Sequence, residues 1–400
     1  MIQRLNIAMI SIHSCPLAVL GGRDTGGMNV YVREVAAELA SRGHNVDIYT
    51  KAHQPQHGPP INLGPNVRII HLDTGADEDM PKLAIYDYIH KLAGVAENFR
   101  KYNQLEYDVI HSHYWLSGLI GKQLQTLWCV PHAVMFHTLG AIKNEVGIGE
   151  NEPELRIESE KEVVSSCQRI IASTAGEAEG LVQFYGTSPD KISVIPCGVN
   201  LKLFRPVDRE TARRELGLDH QKVILFVGRM DPLKGLEQLL TAMTYLDGQK
   251  PPILMVVGGD ADSQGQALQK MAVELGIERR VKFFGSVPQS RLPLFYSAAD
   301  VCAIPSYYES FGMVALESLA CGTPILATNV GDMKNIVRSD EMGSIVADNS
   351  PLSLASEISG LIYAPEDGKL FEARRETIAG FSWSAIADKM LSEYYTLLDS

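Results

Sequence analysis

The chain has 400 residues, 45% hydrophobic and 21% charged, the balance of a globular protein with room for two or three domains. A formal net charge of −12 argues against a nucleic acid or an anionic membrane surface as main partner. No stretch reaches 18 apolar residues, so no integral membrane segment is expected. The six cysteines (Cys15, Cys129, Cys167, Cys197, Cys302, Cys321) include no C-x-x-C pair and mostly fall in apolar stretches. They read as reduced core thiols of a cytoplasmic protein, neither a disulfide frame nor a zinc site.

Leu5–Ile12 predicts the first strand of a Rossmann-like half. It leads into the glycine-rich loop Gly21-Gly-Arg-Asp-Thr-Gly-Gly27, then a helix with Val30, Val32, Val35, Ala36 and Leu39 inward, closed near Gly43. The loop is not G-x-G-x-x-G, and no acidic residue ends the second strand, Val46–Thr50. A nicotinamide-dependent oxidoreductase would need both. Gly26 and Gly27 would let the backbone approach a phosphate or sugar closely.

Strands at Val67–Leu72, Asp108–His113, His132–His137 and Arg169–Ser173 alternate with helical patterns, the rhythm of a doubly wound parallel α/β sheet. Two strand ends carry chemistry: His111-Ser-His-Tyr-Trp115, and Phe136-His-Thr-Leu139 followed by Lys143 and Asn144. A lone histidine is ordinarily core or surface. Two histidine motifs at carboxyl ends of neighbouring strands meet where such sheets bind ligands.

Ser193–Val199 closes the first half, and Leu203-Phe-Arg-Pro206 with the polar run to Gln221 reads as a linker. The second half restarts with Val223–Val227 and Gly228-Arg-Met-Asp-Pro-Leu-Lys-Gly235. Arg229 at a strand end and Lys234 at a helix start give two cations beside free N–H groups, which suits a diphosphate. Ile253–Gly259, ending in Gly258 and Gly259, and Val281–Gly285 are further strands.

Pro305–Ala327, PSYYESFGMVALESLACGTPILA, carries the densest signal. A buried strand, Val301–Ile304, precedes it, and Gly312–Cys321 reads as a helix packed through Val314, Leu316, Leu319 and Ala320, stopped by Gly322 and Pro324. Glu309 then sits on the strand-to-helix loop and Glu317 within the helix. Ser310, Phe311, Gly312 and Met313 bring backbone donors to the helix start. Two carboxylates beside free donors suit a sugar. A surface glutamate pair is the bland alternative, and Glu317, set among apolar and small residues, is too costly a charge for it.

This string resembles the donor-sugar signature of the family 4 retaining glycosyltransferases: Glu, seven residues, Glu, then a G-x-P turn. Gly27-Met-Asn-Val-Tyr-Val and both histidine motifs resemble the subgroup containing sucrose-phosphate synthase and inositol-phosphate glycosyltransferase. The resemblance covers nearly the full chain. It implies two facing Rossmann-like domains with a cleft between them: 1–205 for the acceptor, 206–382 for the nucleotide sugar, and 383–400 as a helix crossing back to the first domain.

It also implies roles. Glu309 and the amides of Phe311, Gly312, Met313 and Val314 would hold hydroxyls of the transferred hexose. Glu317 would hold the ribose and Arg229 with Lys234 the diphosphate. Gly26, Gly27 and Gly259 would line the donor, and His137 would lie at the reacting face. Asp24, Asn29, Tyr114, Thr138, Lys143 and Arg156 would face the acceptor. The implied activity moves a hexosyl unit from a nucleotide diphosphate sugar, read as UDP-linked, to a small hydroxylated acceptor by front-face attack. No cofactor is expected, and with no D-x-D motif and two cations at the diphosphate, no metal; a homodimer is left open.

Asp77-Glu-Asp-Met-Pro81 departs from the pattern, because members using phosphorylated acceptors carry a Lys shortly before a Leu-Pro there. The acidic replacement leans the reading toward an unphosphorylated polyol or sugar, with Lys82 and Lys143 able to restore a phosphate site. Val330-Gly-Asp-Met-Lys334 also replaces the family's more usual Gly-Gly-Leu-Pro. The rivals are a sugar-nucleotide 2-epimerase and a non-catalytic sugar-nucleotide-binding protein.

Overall fold

The computed structural model describes residues 4–18, 25–52, 58–75, 80–246, 250–259, 263–364 and 369–399. The first half is built on an eight-stranded sheet: β1 (Asn6–Ile10), β2 (Asn45–Lys51), β3 (Ile61–Gly64), β4 (Val67–Leu72), β5 (Val109–His113), β6 (His132–Met135), β7 (Arg169–Ala172) and β8 (Ile192–Val194). Its order is β3-β4-β2-β1-β5-β6-β7-β8, and only β3, on the edge, runs antiparallel. The second half is an all-parallel sheet of β9 (Val223–Val227), β10 (Ile253–Val257), β11 (Val281–Gly285), β12 (Val301–Ile304), β13 (Ile325–Thr328) and β14 (Gly343–Val346), in the order β11-β10-β9-β12-β13-β14. Runs such as VILFV in β9 and VCAI in β12 are apolar at nearly every position because helices cover both faces. Chain direction across each sheet reverses beside one strand, between β1 and β5 in the first and between β9 and β12 in the second. Those are the crevices at which doubly wound sheets bind ligands.

Four strands escape the sequence reading. β3 (INLG) is exposed and polar, and β8, β13 and β14 are only three or four residues long. The polar run 206–221 is not a linker. Asp208 caps the helix Arg209–Glu215, and Ala212, Leu216 and Leu218 are buried. Its charges converge on buried Asp300, which pairs with Arg209, Arg213 and Lys222. Polarity there marks an ion-pair cluster clamping the helix to the second sheet.

The helix Trp383–Leu398, capped by Ser382, packs against the helix Gly27–Ser41 of the first half. Arg42 bonds Asp388 and Ser384, and Tyr394 Oη lies 2.7 Å from His111 Nδ1. One apolar core runs from Leu5, Tyr31 and Leu39 through Trp383 and Ile386 to Leu225, Phe311 and Leu316. Five cysteines are buried, Cys129 is exposed, and all six are free thiols. Among the described residues, no helix is long and apolar enough to cross a membrane.

Candidate active site

The second sheet's crevice gathers the donor candidates. Gly228 and Arg229 follow β9. Asp231 accepts from the Leu233 amide and starts the short turn Pro232–Lys234, which brings Lys234 back over the strand end. Lys234 Nζ lies 2.7 Å from Glu309 Oε1, on the loop after β12, and Ser306 Oγ donates to the same oxygen. Arg229 remains 45% exposed, with Asp231 3.5 Å away. At the end of β10, Gly258 (φ +110°) and Gly259 (φ +71°) occupy the left-handed region, and a Cβ on Gly259 would strike the Met230 side chain.

Gly312, at φ +114°, turns the chain into the helix Met313–Ala320. It offers no capping side chain, so the amides of Met313 and Val314 lie at an uncapped helix start. Phe311 is buried beneath the turn. One turn further along, Glu317 is 7% exposed, and its carboxylate accepts from Tyr296 Oη at 2.7 Å. Burial pushes this carboxyl up to about 7, against the stabilising bonds from Tyr296 and Gln289.

The first sheet contributes the ends of β1, β5 and β6. Tyr114 (φ +78°) and His137 (φ +61°) are non-glycine residues in the left-handed region, a strain of about 1–2 kcal/mol each that clusters at functional sites. His137 Nε2 lies 3.0 Å from His113 Nδ1, and Tyr31 packs edge-on against the His137 ring. Burial pushes His137 down to about 3 and His113 well below its ordinary value, so both rings are neutral at pH 7.

Arg156, 1% exposed, is held by Glu160 at 2.7 Å, Glu152 at 2.9 Å, and the carbonyl and hydroxyl oxygens of Thr138 at 2.8 and 2.9 Å. Its guanidinium stacks 4.9 Å from the centre of the Tyr114 ring. Lys143 pairs with Glu152 as well. The four acceptor candidates Tyr114, Thr138, Lys143 and Arg156 therefore meet, but both cations already face carboxylates. Lys82 Nζ also lies 5.7 Å from the Tyr114 ring.

Asn29 does something other than face an acceptor. It is fully buried, accepts from Ser14 Oγ and donates to the Cys15 carbonyl, tying the chain after β1 to the helix Gly27–Ser41. Sequence reasoning took it from its place beside the glycine loop, where polarity cannot distinguish a ligand contact from a buried brace. Asp24, and Asp77 to Asp79 of the acidic run, lie outside the described residues.

The two halves meet across the site. A Cβ on Gly27, first residue of its helix, would lie 2.8 Å from Met313 Cε, and Ser173 Oγ donates to the Ser310 carbonyl at 2.9 Å. Gly26 has open space around it. Sequence reasoning missed Glu152, Glu160, Tyr296 and the partnership of His113 with His137. The carboxylates four residues either side of Arg156 were a signal in hand.

Two facing sheets, one ending at the Lys234–Glu309 pair and an uncapped helix start, the other at a pair of neutral histidines, define a two-Rossmann-domain transferase site. Residues 25–203 match the model of Glycosyltransferase Family 4, and residues 208–376 that of Glycosyl transferases group 1. The chain is 37% identical to a D-inositol 3-phosphate glycosyltransferase of Corynebacterium efficiens, over 98% of this chain and 95% of that one. It is 39% identical to D-inositol 3-phosphate glycosyltransferase 2 of Catenulispora acidiphila, over 95% and 92%. Among solved structures it is similar to a sucrose-phosphate synthase from Thermosynechococcus elongatus, with TM-score 0.90, 33% identity, and coverage of 99% and 100%. The protein belongs to the family 4 glycosyltransferases and is a glycosyltransferase enzyme.

Proposed function

We propose that the protein is a retaining hexosyltransferase that moves a sugar from a nucleoside diphosphate, read as uridine-linked from the subgroup it resembles, to a small polyol or sugar hydroxyl. The observation that carries this reading is the Lys234–Glu309 pair at the strand ends, on the loop that leads through Gly312 to an uncapped helix start opposite Gly27.

Breaking the sugar–phosphate bond builds negative charge on the leaving diphosphate and positive charge on the anomeric carbon. Arg229, Lys234 and the helix start would stabilise the first, the task a metal performs elsewhere. Glu309 and the amides of Phe311 and Gly312 would grip the hexose, and Glu317 the ribose. In front-face attack the leaving phosphate oxygen accepts the acceptor's proton as the new bond forms on the same face. His137, neutral, would lie beside the sugar without acting as base.

An acceptor without a phosphate fits the charge balance, because Glu152 and Glu160 already offset Arg156 and Lys143. A second reading, a phosphorylated acceptor, is favoured by Lys82 near Tyr114 and by the substrate in the relatives' printed name. Incubation with nucleotide sugars, following free nucleoside diphosphate with and without acceptors and the anomeric configuration of the product, tests the whole reading. Inversion of configuration, or epimerisation of the donor with no transfer, overturns it.

A further inference from the structure

The reacting-face histidine does not stand alone. His113 Nδ1 bonds His137 Nε2, the His111 ring packs 4.3 Å from that of His113, and His111 Nδ1 bonds Tyr394 Oη of the C-terminal helix. Between two neutral imidazoles, one nitrogen must carry the shared proton and the other must accept it. The rest of each ring decides which.

His113 Nε2 is buried with no partner. If His137 donated from Nε2, His113 would have to carry its own proton on Nε2, as a buried N–H with nothing to accept it. If His113 donates from Nδ1, its Nε2 is a bare lone pair. Orphaned buried N–H groups are the rarer defect. The neighbouring rings follow the same rule. His111 Nε2 is unpartnered while Nδ1 bonds Tyr394, and His132 Nδ1 is unpartnered while Nε2 bonds Ser112 at 2.8 Å. In each, the same rule puts the proton on the bonded nitrogen and leaves the buried one bare.

We infer that His113 is a positioning residue that fixes His137 as its Nδ1–H tautomer, so that His137 offers the transferred sugar an N–H donor in place of a lone pair. The inference rests on the reading that His137 lies beside that sugar. It gives the ring a defined task, donation to a sugar oxygen, and removes it as a candidate base. The left-handed backbone at His137 suits such a role, since strain of this kind persists where surrounding structure fixes a side chain.

The test uses the whole protein with 15N-labelled histidine, resonances being assigned by loss of signal in His137→Ala and His113→Asn. The wild type should show His137 protonated on Nδ1 and bare on Nε2. His113→Phe removes the donor that holds this tautomer and should leave His137 as a mixture of the two tautomers. It should lower kcat roughly tenfold or more, with the donor KM changed less than about twofold, the signature of an interaction made in the transition state. In His113→Asn the amide nitrogen stands near the place of Nδ1, so the tautomer and most of the lost rate should return. A wild-type His137 protonated on Nε2 overturns the inference, even if His113→Phe fails to fold. So does a His113→Phe enzyme of normal rate beside an impaired His137→Ala, or a His113→Asn enzyme as slow as His113→Phe. Full activity in His137→Ala instead overturns the site reading, and the spectra still decide the tautomer.

Discussion

Lys234 Nζ and Glu309 Oε1 lie 2.7 Å apart, so the two side chains proposed to hold opposite ends of the donor's reacting bond hold each other. On that proposal a bound donor would compete with this pair, offering the ammonium a phosphate and the carboxylate a pair of sugar hydroxyls.

Glu309→Gln should therefore separate two effects. Turnover should fall about a hundredfold, the usual size for losing a transition-state contact. Affinity for the nucleoside diphosphate alone should hold or rise, because Lys234 no longer has a competing anion. Lys234→Ala should weaken both. Calorimetric titration with the diphosphate beside steady-state rates checks this, and weaker diphosphate binding in Glu309→Gln contradicts the exchange.

Arg229 and Lys234 are proposed to do the charge work at the diphosphate. Activity should survive excess chelator, and Arg229→Ala should cost about two orders of magnitude in turnover. Activity lost to EDTA and restored by magnesium or manganese would show that the clamp is incomplete without a metal.

The Glu317 carboxyl titrates near neutrality. Ribose hydroxyls donate to the charged form, so binding of the nucleoside diphosphate at pH 7 should release a proton that Glu317→Gln does not release. Titration in buffers of different ionisation enthalpy measures the difference. The stability sign is the reverse of a paired carboxylate's. A raised folded pKa gives stability that is whole below about pH 4.5 and lost as pH rises to about 7, on the order of 3 kcal/mol. Glu317→Gln should melt above the wild type at alkaline pH, and the gap should close toward pH 5.

Glu152 offsets both Lys143 and Arg156. Glu152→Gln frees a cation, so the ratio of kcat/KM for a phosphorylated over an unphosphorylated acceptor should rise about tenfold, or roughly 1.4 kcal/mol. Matched pairs such as fructose with fructose 6-phosphate serve. An unchanged ratio means these residues do not face the acceptor.

The strands that build both crevices were legible because they are apolar runs ended by glycine, proline or histidine, and the buried place of Glu317 because it is set among apolar and small residues. What stayed hidden depends on distant partners. Arg156 looked free to face the acceptor because nothing in the sequence shows Glu152, just before its helix, and Glu160, within it, turned inward onto the guanidinium. Asn29 looked like a contact because Ser14 and Cys15 come back to it only in three dimensions. The run 206–221 looked like a linker because the residues it bonds, among them Ser297, Ala298 and Asp300, lie 85 to 90 residues on.

The C-terminal helix belongs by sequence to the second half and by packing to the first. Trp383 seats its ring edge-on against Tyr31, 5.5 Å away, inside apolar matter common to both sheets. The molecule therefore cannot be cut at its waist into two working proteins. A fragment ending before Trp383 would bare the groove that helix fills, and one beginning at the second sheet would carry an apolar helix with nowhere to lie. Heated, the intact chain should melt in a single cooperative step, its calorimetric and van't Hoff enthalpies agreeing.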